Sequence, residues 1–293
     1  MKILLTGASG QLGQDLQRRF ALENAEIIAL ERQKLDITQP QAVRDAIAHH
    51  HPDILINAGA YTAVDQAESE ADLAYTANAT APKILAEAAA EGNLTFVHIS
   101  TDYVFDGKQS TPYRETDPTH PIGIYGKSKR DGEIAIAQVA QTRDLRYFIL
   151  RTAWVYGSYG KGNFVKTMLR LGAQREELKV VADQIGTPTW TYDLADAIAQ
   201  LLMTPDWTNG IYHFTNSGAT SWYDFAIAIF EEAQALKMPL AIQNVVPITT
   251  PEYPTPAQRP AYSVLSHQKI RPFLASPPPQ WRVSLRQMLA QLS

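Results

Sequence analysis

The chain is predicted to be α/β: a doubly wound parallel sheet of the Rossmann type with a smaller C-terminal substrate-binding domain. Three observations predict it. Short apolar runs alternate with longer amphipathic ones through the first half. A glycine-spaced turn joins the first run to the first helix, and past about residue 158 the rhythm loosens into helices separated by proline-rich connections. Strands covered on both faces need no apolar and polar alternation, whereas the crossover helices between parallel strands are amphipathic.

The elements follow in order. KILLTG reads as the first strand with QLGQDLQRRF as its helix, and EIIAL with PQAVRDAIAHH as the second pair. DILINAG is the third strand, followed by a helix through APKILAEAAAEG. TFVHIS is the fourth, followed by a helix opening at IYGKSKRDGE, and YFILRTAWVYG is the next strand. The second half carries the helical stretches NFVKTMLRLGAQ, TYDLADAIAQLLM and SWYDFAIAIFEEAQAL, with PITTPEYPTPAQRP as the most proline-rich connection. Residues 1–158 are expected to form the dinucleotide-binding domain and 159–293 mainly the substrate-binding domain, with roughly 187–215 returning to the sheet. His49, His50 and His51 are adjacent on a helix, point in different directions and so do not converge on one ion. They read as a helix end.

Composition narrows the function. A net charge of −4 over 293 residues gives no sign of nucleic-acid binding, and the absence of cysteine excludes disulfides, thiolate nucleophiles and thiolate metal sites. MKILLTGASG has too short an apolar core for a signal peptide, and no run approaches the roughly 18 apolar residues of a membrane span. A cytoplasmic protein without a membrane partner is expected.

Gly7, Gly10 and Gly13 sit in TGASGQLG, between strand one and helix one. Gly7 permits the tight turn, Gly10 lets backbone approach a pyrophosphate, and Gly13 lets helix pack on strand, while the helix N-terminus at Gln11 and Leu12 favours an anion. Glu31 and Arg32 follow the second strand. An acid there bonds the ribose hydroxyls of NAD and an arginine accepts the extra phosphate of NADP, so both NADH and NADPH stay open. Asp36 and Ile37 either flank the adenine or belong to the entry of the next helix.

Tyr125 and Lys129 stand four apart at a helix start, on one face, where an ammonium can favour tyrosinate and hydrogen-bond the nicotinamide ribose. Thr101 ends the preceding strand, at the carboxyl edge of the sheet where ligands of such folds bind.

Taken with NAGAYTAVDQAE, STDYVFDG, YGKSKRDGE, RTAWVYG, GNFVKTMLRL, DQIGTPT and YPTPAQRPAYSVL, the chain resembles the extended short-chain dehydrogenase/reductase superfamily. Within it, the chain is most similar to the dTDP-4-dehydrorhamnose reductases. The resemblance implies reduction of a 4-keto sugar nucleotide with NADPH or NADH, and no catalytic metal. It implies a catalytic triad of Thr101, Tyr125 and Lys129, with Ala60, Tyr61 and Thr62 along the cofactor. Val64, Asp102, Tyr103, Trp154, Asn163 and Arg259 would frame the sugar nucleotide. The related 4,6-dehydratases carry an acid pair after the threonine; here Asp102 is followed by Tyr103, which suits reduction better than elimination. Tyr262 and Ser266 depart from the family pattern. Tyr192 stands where an acid of a metal-bridged dimer is expected, so monomer and homodimer both remain. The rivals are another sugar-nucleotide reductase or epimerase, and a non-catalytic binding subunit such as that of methionine adenosyltransferase.

Overall fold

In a computed structural model, which describes residues 1–292, six parallel strands form the central sheet. They are β1 (Lys2–Thr6), β2 (Glu26–Leu30), β3 (Ile54–Asn57), β4 (Thr95–Thr101), β5 (Arg146–Thr152) and β6 (Gly210–His213), in the spatial order β6-β5-β4-β3-β1-β2. Helices α1 (Gln11–Ala21), α2 (Pro40–His50), α3 (Ala81–Glu91) and α4 (Ile124–Thr142) connect the first five strands. Then α5 (Phe164–Gly172) leaves the sheet, α6 (Thr191–Met203) returns to it, and α7 (Trp222–Ala235) and α8 (Trp281–Ala290) pack outside.

The period of two along each strand sorts the core into two layers. Ile3, Leu5, Ile56, Val97 and Phe148 meet Leu12, Leu16 and Phe20 of α1 and Leu194 and Ile198 of α6. Leu4, Leu55, Phe96 and Ile149 face the other way, onto Val43, Leu85, Ile136 and Val139 of α2, α3 and α4. Continuous apolar runs such as ILLT and DILIN are therefore buried on both faces. Strand β6 pairs in parallel with β5, Gly210 opposite Phe148, and so extends the sheet from far along the chain.

Outside this sheet a parallel ribbon of Glu177–Val181 with Asn244–Ile248 joins α5, α7 and α8 around Tyr156, Val165, Phe225, Phe230, Trp281 and Met288. The proline-rich tail returns to the sheet through a smaller cluster. Phe105 stacks on Tyr113 at 4.1 Å, and Tyr113 bridges to Leu265. The histidine triplet ends α2, with His51 capping it at φ 48°. No helix among the described residues is long and apolar enough to cross a membrane.

Candidate active site

The carboxyl ends of β1, β3, β4 and β5 open onto a cleft of roughly 550 Å³, closed on its far side by the segment from Trp154 to Gly162. At one end lies the glycine turn. Gly7 has φ +69°, and a Cβ there would sit 2.5 Å from the amide nitrogen of Gly59, so only glycine makes the turn under the β3 loop. A Cβ on Gly13 would sit 2.3 Å from the Gly7 carbonyl oxygen, which sets how closely α1 approaches β1. Gly10 caps α1 with no side chain, leaving the donors of the first turn directed at the cleft. That uncapped, glycine-lined N-terminus fits the diphosphate of a dinucleotide.

Thr101 ends β4 and Asp102–Val104 form a short 3-10 turn. Opposite them α4 starts at Ile124, whose amide donates to Glu68 Oε1 at 2.8 Å. A Cβ on Gly126 would lie 2.2 Å from the Tyr103 carbonyl oxygen, so this glycine lets α4 seat against the turn. The rings of Tyr103 and Tyr125 then meet edge to face at 5.4 Å. Thr101, Tyr125 and Lys129 all line the cleft, together with Gly10, Gln11, Leu12, Ala60, Thr62, Val64, Asp102, Tyr103 and Trp154.

The electrostatics differ from the expectation drawn from spacing. Burial pushes the Tyr125 phenol up to about 12, the Thr101 hydroxyl pulling it down and the charge of Asp102 adding to the rise. Lys129 is not spent on the phenol: its Nζ donates to the Ile99 carbonyl at 2.6 Å and lies 3.3 Å from His98 Nε2. Burial also brings its own pKa down to about 8, against the charge of Glu133. A phenol held that high stays protonated at neutral pH, so the proton it would donate is present.

Four buried polar side-chain atoms among the described residues have no hydrogen-bond partner, and two of them, Asp102 Oδ2 and Thr152 Oγ1, belong to residues that line this cleft. Buried polar groups left unpaired mark a place where a polar ligand fits. Burial raises the Asp102 carboxyl from 3.8 to about 6, with the Ser263 and Thr101 hydroxyls pulling the other way. A raised carboxyl contributes a penalty that is full above the folded value and absent below the unfolded one. Asp102→Asn should therefore stabilise the protein at pH 8 by up to about 3 kcal/mol and not at all at pH 3.5. Thermal melts at the two pH values check this; an equal change at both would show that ionisation is not involved.

Other predicted residues are placed elsewhere. Glu31 and Arg32 follow Leu30, the partner of Thr6 in the β1–β2 register, and are exposed at the cradle's edge, outside the residues that line the cleft. Asp36 accepts from the Thr38 amide and hydroxyl, the turn-forming alternative, and Ile37 packs into the α2 layer. The Tyr61 amide donates to Asn78 Oδ1 and its carbonyl accepts from Asn78 Nδ2, while its hydroxyl donates to Glu70, away from the cleft. Asn163 caps α5 by accepting from the Lys166 amide and donates to Gln11 and to the Gly157 carbonyl, so it ties the α5 segment to the cradle. The Arg259 guanidinium grips Asp65 bidentately at 3.0 and 2.7 Å and also reaches Thr255 and the Ala257 carbonyl.

Trp154 lines the cleft away from the glycine turn with φ 47°, a strained setting for a bulky residue. Its ring stacks on Trp222 at 3.4 Å and 6°, and a Cβ on Gly186 would come within 2.5 Å of it. The glycine of DQIGTPT thus makes room for a flat indole wall. Sequence reasoning missed Asn57, which ends β3, and His98, in the middle of β4; a buried polar residue within an apolar strand was the available signal.

A family model described as the RmlD substrate binding domain matches residues 1–293. The chain belongs to that family. The dTDP-4-dehydrorhamnose reductase of Aggregatibacter actinomycetemcomitans is 46% identical over 295 residues, covering 99% of this chain and 98% of the relative. A Streptomyces antibioticus protein named a probable dTDP-4,6-dihydroxy-2-methyloxan-3-one 4-ketoreductase is 44% identical, with coverages of 98% and 94%. Among solved structures, a dTDP-4-dehydrorhamnose reductase from Bacillus anthracis in complex with NADP has a TM-score of 0.91 at 41% identity and 99% coverage of both chains. Membership of the RmlD family accords with the DQIGTPT and YPTPAQRP segments, which build the indole wall and the Asp65 clamp here.

Proposed function

We propose that this protein reduces the C4 ketone of dTDP-4-dehydro-L-rhamnose to dTDP-L-rhamnose with NADPH or NADH. The observation that carries the reading is the convergence of Thr101, Tyr125 and Lys129 on one cleft. An uncapped glycine cradle stands at one end of that cleft and the Trp154 wall at the other. The reduced nicotinamide supplies the hydride. Tyr125 delivers one proton to the carbonyl oxygen as C4 takes the hydride, Thr101 orients that oxygen, and Lys129 holds the ribose. Only one carboxyl, Asp102, follows Thr101, so elimination lacks its second acid–base group.

Residues 1–158 hold the dinucleotide in this reading and 159–293 hold mainly the sugar nucleotide, with 187–215 belonging to the sheet. The protein acts in the cytoplasm, as a monomer or homodimer. The Streptomyces relative points to a second reading in which the ketone is again at C4 but the sugar differs. Trp154→Ala separates sugar from cofactor: KM for the sugar nucleotide should rise by roughly tenfold, about what a lost aromatic stack costs, with the dissociation constant of NADPH unchanged. Mixing protein, NADPH and the two 4-keto sugar nucleotides in turn, and following the loss of NADPH absorbance, tests the reading. Turnover of neither would overturn it.

A further inference from the structure

Thr6, Asn57 and His98 stand opposite one another on β1, β3 and β4, all buried, with their side chains on the face that α4 covers. The orientation of each group in this ladder is fixed by its neighbours. The Gly59 amide, which can only donate, lies 3.1 Å from Asn57 Oδ1, and the Thr6 hydroxyl donates to the same oxygen at 2.7 Å. The Asn57 Nδ2 donor is then the atom 3.0 Å from His98 Nδ1, so Nδ1 accepts. A neutral imidazole that accepts at Nδ1 carries its proton on Nε2. That N–H points at Lys129 Nζ, 3.3 Å away.

An ammonium has no lone pair to receive it; a free amine has. The Ile99 carbonyl takes one lysine N–H at 2.6 Å, so the amine form is the arrangement in which the His98 Nε2–H meets an acceptor. His98 is fully buried and held well below its ordinary value by that burial, with the charge of Lys129 acting the same way, so it does not answer by becoming imidazolium. The groups facing Lys129 are His98 and the Ile99 carbonyl from β4, and Tyr125 and Glu133 one turn away on α4. Glu133 favours the ammonium, but its carboxylate is already gripped by Arg151 at 2.9 and 2.7 Å.

We propose that His98, locked by Asn57 in its Nε2–H tautomer, is a positioning residue that donates to the free amine of Lys129 and so brings the charge of that lysine under the control of pH near neutrality. Thr6 begins the phosphate turn, so the ladder runs from the cradle to the lysine across three strands. The proposal rests on Lys129 serving the reduction, whereas the NMR arm of its test does not.

The experiment is two-bond proton–nitrogen correlation NMR on protein labelled at histidine nitrogens, without cofactor, from pH 6 to 10. His98 is assigned by the loss of its signals in His98→Phe. The expected result is a proton on Nε2 throughout, with the Nε2 resonance titrating about two pH units below the ordinary lysine value of about 10.4, and with that titration abolished in Lys129→Met. The basic limb of kcat should fall at the same pH. A proton on Nδ1, an imidazolium above pH 6, or no movement below pH 10 would overturn the proposal, whether or not the sugar nucleotide is the substrate.

Discussion

Tyr125→Phe is expected to fold and bind dinucleotide as the parent does, and to turn over at least about 10²-fold more slowly. The substitution removes one hydroxyl from a ring whose edge-to-face contact with Tyr103 survives, so packing changes little. What disappears is the phenol that the start of α4 brings into the cleft beside Thr101. Because the phenol is held up to about 12, the parent donor is fully protonated at pH 7, and lost turnover reports the missing proton rather than a shifted fraction of donors. Steady-state kinetics with a separate measurement of NADPH binding checks it. Turnover within threefold of the parent would place the proton donor elsewhere.

The second large effect is on stability. Glu133 and Arg151 are both buried and joined by two hydrogen bonds, with Ser100 donating to the same carboxylate and His213 beside the guanidinium. This network ties α4 to β4, β5 and β6 just below the cleft. Breaking a buried pair leaves an uncompensated charge, so Glu133→Ala should cost about 3–5 kcal/mol. Replacing both members with apolar residues removes both charges. Glu133→Ala combined with Arg151→Met should therefore recover a large part of the loss. Urea unfolding measures both; a single variant within about 1 kcal/mol of the parent would mean that the pair contributes little.

Much of this was legible along the chain because the determinants are local. The turn of Gly7 to Gly13 needs its glycines within one strand–helix junction, and the Tyr125–Lys129 face follows from helical spacing alone. The apolar runs named the strands because burial on both faces leaves no other place for them. What stayed hidden depends on register and on distant pairing. Thr6, Asn57 and His98 become a ladder only when β1, β3 and β4 align, and Lys129 changes character only when it meets them. The ion pair of Arg259 is invisible along the chain, because its partner Asp65 lies 194 residues away. Asn163 likewise looks free until Gln11, 152 residues earlier, is brought beside it. Trp154 was visible as a candidate wall, but its left-handed backbone and the Trp222 stack that supports it belong to the packed molecule.

In the proposed reaction hydride goes to C4 while Tyr125 protonates the oxygen. The most direct test supplies reduced cofactor carrying deuterium at the transferable position, together with dTDP-4-dehydro-L-rhamnose, and reads the product sugar by NMR. Deuterium at C4 of dTDP-L-rhamnose, with the rate collapsing in Tyr125→Phe, is the predicted result. A C4 epimer, deuterium at another carbon, or no transfer by protein that binds the cofactor would contradict it.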